Sequence, residues 1–211
     1  MNTKYYTVHG YGCTEIEINK SRFIAYVNRV VTEEEALAFI ETIRKRHWDA
    51  THNCSAYVIG DNDQHQKSSD DGEPSGTAGK PILEIIKKMS LKDTVVVVTR
   101  YFGGIKLGAG GLVRAYGKSA VAGLEAAGII ERQLHTLLAV QIEYSLLGTV
   151  ENNLRNHHFL IADKQFDAAV TVFALAPSGQ EAVLEAKLAD WTSGQAQVER
   201  LGEQYVDIPV S

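Results

Sequence analysis

Val95-Val96-Val97-Val98-Thr99-Arg100-Tyr101-Phe102-Gly103-Gly104-Ile105-Lys106-Leu107-Gly108-Ala109-Gly110-Gly111 joins a β-branched run to five glycines in nine positions. β-Branched side chains are stiff about χ1 and suit strands, so Val95 to Val98 reads as a buried strand. The glycines lead into a helix expected from about Gly111 to Ala127, with Leu112, Val113, Tyr116, Ala120, Val121 and Leu124 at helical spacing. A buried strand passing through glycines to a helix start can cradle an anion, because amides approach closely and the helix N-terminus is partially positive.

Upstream, Thr14 to Ile18 and Arg22 to Val31 read as a strand hairpin turning at Asn19-Lys20-Ser21. Thr32 can cap a helix from about Glu33 to Arg46, with Glu35 reaching back to the cap amide. Cys54 to Ile59 is a third strand, Gly60 to Gly79 is polar and irregular, and Pro81 to Met89 is a short helix. From Leu134 the order is strand (Leu134 to Tyr144), helix (Gly148 to Asn156), strand (Phe159 to Ala162), strand (Phe166 to Leu175), helix (Gly179 to Trp191), strand (Ala196 to Val206). That is the βαββαβ order of a ferredoxin-like antiparallel sheet. The chain is expected to be α+β with two domains, 1–130 and 134–211, meeting near Gly128 to His135.

Charge divides at the same place. The 211 residues carry a net charge of -5. Residues 1 to 128 hold 16 Lys plus Arg against 15 Asp plus Glu, and the remainder 5 against 11. Within the first part, Lys80 to Lys118 carries eight cations against Glu84 and Asp93. The acidic total therefore argues against a polyanionic partner only for the second part. Two cysteines, Cys13 and Cys54, make no disulfide framework or zinc pair. The absence of a long apolar run and of a signal-like start implies no membrane partner and a cytoplasmic location.

Two segments carry the candidate chemistry. In Asp70-Asp71-Gly72-Glu73-Pro74-Ser75-Gly76-Thr77-Ala78-Gly79-Lys80-Pro81, Thr77 or a neighbour can cap the helix at Pro81, and open amides there can receive an anion. Asp70, Asp71 and Glu73 offer oxygen to a cation but lack calcium-loop spacing. In the second segment, Arg100, Lys106 and Arg114 are candidate phosphate contacts, and Gly103, Gly104, Gly110 and Gly111 supply amides. One of Tyr101 and Phe102 can stack on a base, since neighbours on a strand face opposite ways. Gly117-Lys118-Ser119 is not a P-loop and Gly108-Ala109-Gly110 is not a dinucleotide fingerprint, so no cofactor is expected. His52 and Cys54 share a strand face, but no triad accompanies them.

The Asp70 to Pro74 and Gly79-Lys80-Pro81 runs, together with Arg100 to Gly104 ending in Leu107-Gly108, resemble the signatures of the Impact family in its bacterial YigZ/YvyE group. Ile82-Leu83, Ile86, Leu91 and Val97-Val98 match between them. The resemblance implies a first domain like the second domain of small-subunit ribosomal protein five and a second like the last, ferredoxin-like domain of elongation factor G. Eukaryotic relatives regulate translation through the starvation-sensing initiation-factor kinase, and no catalytic residues are carried over. The expected function is regulation of translation by binding RNA or the ribosome, with a possible protein partner and no DNA specificity. The alternative is an enzyme acting on a small phosphorylated or nucleotide ligand between the two glycine-rich loops.

Overall fold

The computed structural model describes residues 2–210. They form two compact units, one comprising Tyr5–Glu131 and residues 208–210, the other Asn2–Lys4 and Arg132–Asp207. The first contains most of β1 (Lys4–Val8), and β2 (Gly12–Ile18), β3 (Ser21–Arg29), α1 (Glu33–Arg46), β4 (His52–Ile59), β5 (His65–Ser69), α2 (Gly79–Lys88), β6 (Thr94–Tyr101) and α3 (Gly108–Ala127). Its antiparallel sheet has the order β2-β3-β6-β4-β5.

Alternation along these strands sends side chains to two different cores. Ile24, Tyr26, Tyr57, Ile59, Val95 and Val97 pack on the α1 side. Phe23, Ala25, Cys54, Ala56, Val96 and Val98 pack against α2 and α3 through Ile82, Ile86, Tyr116 and Leu124. Central strand β6 is covered on both faces, which is why it reads as unbroken valine rather than as an alternating pattern.

The β2–β3 turn needs only Asn19 and Lys20, at φ +48° and +63°, because Ser21 already pairs with Ile18. Two successive left-handed residues suit a tight hairpin twist. Thr32 Oγ1 accepts from the Glu35 amide at 3.2 Å, while the Glu35 carboxylate accepts from Val31 rather than from the cap amide. Strands β1 and β5 were not expected. Each of the five residues of β5 is exposed and polar, so this edge strand offers no hydrophobic period.

The second unit contains α4 (Leu147–Asn156), β8 (Leu160–Phe166), β9 (Val170–Pro177) and α5 (Glu181–Trp191), with most of β7 (Ile129–Ile142) and of β10 (Gln197–Pro209). Its strands run β8-β9-β7, with β10 also pairing to β7. Leu138, Val140, Val172 and Ala174 meet Val150, Leu154, Leu184 and Leu188, which sets both helices on one sheet face. The βαββαβ order is present, and the chain is α+β. Boundaries shift: β7 starts at Ile129 rather than Leu134, Asp163 to Phe166 belong to β8 with the turn at 167–169, and β10 runs on to Pro209. The division between units falls inside β7, after Glu131, rather than in a linker.

The glycines after β6 have different causes. A Cβ on Gly103 would lie 1.9 Å from the Lys20 carbonyl oxygen, whereas Gly104 faces open space but takes φ +86°. Gly103→Ala is expected to cost at least about 1–3 kcal/mol by overpacking against backbone, and Gly104→Ala about 1–2 kcal/mol through left-handed strain alone. Urea unfolding of the two variants checks the order, and a milder effect at Gly103 would contradict it.

Candidate functional site

His52, Arg100 and Phe23 stand in one row across β4, β6 and β3, because His52 and Phe23 each pair with Arg100 in register. All three face the α2–α3 side. Arg100 is only 5% exposed. Its Nη1 donates to Glu73 Oε1 at 2.6 Å, and its guanidinium carbon sits 5.5 Å from the Phe23 ring centre and 5.4 Å from that of Phe102. Glu73 Oε1 also accepts from Tyr116 OH at 2.8 Å. Burial pushes the Tyr116 phenol up, so it stays a donor.

Arg100 is therefore not the phosphate contact expected of it. A strand-end arginine can point inward when a carboxylate from a distant loop neutralises it and aromatic faces receive its plane. Tyr101 turns to the α1 side, where its hydroxyl donates to Asp49 at 3.0 Å and lies 2.9 Å from His47 Nδ1. Phe102 is 47% exposed and is the member of the pair available for stacking.

The Asp70–Pro81 loop is organised around its own carboxylates. Asp70 accepts from the amides of Gly76, Ala78 and Gly79 at 2.8 to 3.0 Å. Burial would raise its carboxyl, but those three amides outweigh it and hold the group below its ordinary value of 3.8. The amides at the start of α2 expected to receive an external anion already hold this one. Thr77 does not cap the helix: its hydroxyl donates to the Pro74 carbonyl at 2.6 Å, and Ala78 is the N-cap. A Cβ on Gly79 would lie 2.7 Å from Ser69 backbone, and Gly72 takes φ +88°. Asp71 accepts from Arg44 and from the Asn53 amide at 2.9 and 2.7 Å. The three carboxylates thus serve different partners, and no group of three His, Cys, Asp or Glu suited to a metal occurs among the described residues. Lys80 is exposed, 3.9 Å from Glu84.

The start of α3 is different. Leu107 is its N-cap and supplies no side-chain bond, and the amides of Gly108, Ala109 and Gly110 meet no acceptor among the described residues. Gly111, four residues past the cap, falls within the helical ladder, and the Gly103 amide donates to Ser21 Oγ at 3.1 Å. Those two glycines therefore supply no free amide, while Gly110 can. A cleft of about 350 Å³ opens between the two loops. Thr51, His52, Glu73, Pro74, Arg100 and Phe102 line it together with Lys106 to Ala109 and Leu112. Arg114 is not part of it. With Lys118 and Asn19 it borders a separate groove of about 300 Å³.

The model of the Impact N-terminal domain matches residues 19–124, and a domain of unknown function, DUF1949, matches residues 140–195. IMPACT family member YvyE of Bacillus subtilis (strain 168) is 48% identical over 211 residues, covering 100% of this chain and 97% of that one. This chain belongs to the IMPACT family. Protein IMPACT of Mus musculus is 35% identical over 105 residues, covering 47% of this chain and 31% of that one. A crystal structure described as that of a hypothetical protein superposes with a TM-score of 0.61 at 35% identity, covering 95% of this chain and 98% of that one.

In this IMPACT family chain the sequence signatures build one framework. Cys54 completes it: burial pushes its thiol up to about 12, and Sγ donates to the Asp70 carbonyl at 3.0 Å, so it is no nucleophile beside His52. Sequence reasoning left Tyr116 as a core residue and missed its hydroxyl's role, since helical periodicity marks a buried position but not its polar partner. Leu107, Gly108 and Ala109 also line the cleft, and no polar side chain marks them in the sequence.

Arg100→Ala would leave Glu73 buried without its cation, an expected loss of about 3–5 kcal/mol in urea unfolding. Stability unchanged by that substitution would remove the ion pair from the framework. Asp70→Asn is expected to cost about 1–3 kcal/mol at neutral pH. Because the folded value lies below 3.8, this contribution is present above that value and lost as pH falls through the folded one, so the gap between the two proteins should close in acid.

Proposed function

We propose that this chain is a cytoplasmic, translation-associated regulatory protein that binds RNA or the ribosome through the outer face of its α2–α3 layer. One observation carries the reading: Lys80, Lys87, Lys88, Lys106, Arg114 and Lys118 are all exposed on or beside these two helices, facing only Glu84 and Glu125 among exposed carboxylates there. The helices pack on one sheet face, so the cations belong to one layer. Such a surface gains affinity for a phosphate backbone by releasing condensed counterions. Membership of the IMPACT family, whose eukaryotic relatives are expected to regulate translation, supports the biological setting. Among the described residues no helix is long and apolar enough to cross a membrane.

The charge of Arg100 does not contribute, since Glu73 cancels it inside the fold. Phosphate contact falls instead to lysines and Arg114 that were spread over two helices in the sequence. Replacing Lys88, Arg114 and Lys118 together by alanine should lower the slope of log affinity against log salt by about 2 for single-stranded RNA, three phosphates' worth. Fluorescence anisotropy across a salt titration measures it. An unaltered slope would sink the reading, and these three residues lie outside the cleft.

A further inference from the structure

The cleft is lined by a carboxylate oxygen and an imidazole nitrogen that have no hydrogen bond from the described residues. Glu73 is 8% exposed, and with Oε1 occupied by Arg100 and Tyr116, its Oε2 takes no hydrogen bond among the described residues. It stands 3.8 Å from His52 Nε2. His52 Nδ1 lies 2.8 Å from the Asp71 carbonyl, which can only accept, so the proton sits on Nδ1. In the neutral ring Nε2 then presents a lone pair. Two lone-pair sites 3.8 Å apart can be bridged by a ligand group carrying two hydrogens, such as an amino group. Arg100 behind them is likewise left with a buried Nε that has no partner.

The rest of the cleft extends this demand. Phe102, 47% exposed, offers a ring whose orientation is held by the Arg100 guanidinium, 5.4 Å from its centre. Beyond it lie Lys106 and the unpartnered amides at the start of α3, a helix of 20 residues. Helix starts of this kind favour anions. A volume of about 350 Å³ lies within the range of small-ligand sites.

We propose that this cleft binds one nucleotide unit bearing an amino group on its base. The amino group bridges Glu73 Oε2 and His52 Nε2, the ring stacks on Phe102, and the phosphate sits at Lys106 and the amides of Gly108 and Ala109. Free mononucleotide and a single nucleotide of an RNA share this chemistry. Such binding is separate from the basic face of α2 and α3 and does not need a polyanion.

Isothermal titration calorimetry of the full chain with AMP, IMP, adenosine and a short oligoadenylate tests it. AMP should bind about tenfold more tightly than IMP, in which a keto oxygen replaces the amino group. It should also exceed adenosine, and Lys106→Ala should narrow that second gap. Phe102→Ala should weaken AMP by about tenfold. The AMP–IMP comparison needs no variant, so it stands whatever the substitutions do to folding. Oligoadenylate that competes with AMP and binds more tightly assigns the nucleotide to RNA, whereas tighter AMP assigns it to a free metabolite. Equal affinity for AMP and IMP, insensitivity to Phe102→Ala, or no saturation by either AMP or oligoadenylate at millimolar concentration would overturn the proposal. AMP binding retained by the Lys88, Arg114 and Lys118 triple variant, in a protein whose RNA salt slope is unaltered, would separate this outcome from failure of the basic-face reading.

Discussion

Arg100 and Glu73, 27 residues apart in the chain, meet at 2.6 Å inside the first unit, and the candidate site takes its shape from that contact. A guanidinium sealed between the Phe23 and Phe102 rings has lost its water and needs an opposite charge close by. Glu73 supplies it from the Asp70–Pro81 loop, while Tyr116 donates to the same oxygen from α3. Strand, loop and helix are thereby fixed to one another through a single carboxylate. Such a pair adds little net stability over an apolar replacement, but it allows few alternative arrangements of its surroundings.

The loop can present Glu73 because it is itself tied down. Asp70 binds the Gly76 amide in the loop and two more at the start of α2, and Asp71 reaches Arg44 at the end of α1 and the Asn53 amide on β4. An irregular polar segment thus gains the order that a helix or strand would obtain from its own ladder. The same economy leaves the start of α3 without an internal acceptor. Of the two helix starts beside the cleft, one is filled by the protein's own carboxylate and the other is open.

Charge is distributed by the same logic. Arg100 is paired inside with Glu73, while Lys80, Lys87, Lys88, Lys106, Arg114 and Lys118 stay exposed on or beside α2 and α3. The net charge of -5 conceals this, because the acidic second part outweighs a basic surface that lies entirely in the first.

The sequence by itself determined the α+β class, the βαββαβ order of the second unit, the buried β6, the Thr32 cap and the family. Each rests on local information: side-chain stiffness, periodicity, capping chemistry or a contiguous motif. It could not reveal β5, whose five residues carry no apolar period, or separate the roles of Arg100 and Lys106. Both are cations beside the same glycines, and only one has a carboxylate waiting for it across the fold. Whether an arginine is buried or exposed is decided by which partner the tertiary structure brings within reach, because desolvating a charge is tolerable only when that partner is already in place. The cleft, its unsatisfied acceptors and the free amides of α3 are likewise products of packing between segments distant in sequence.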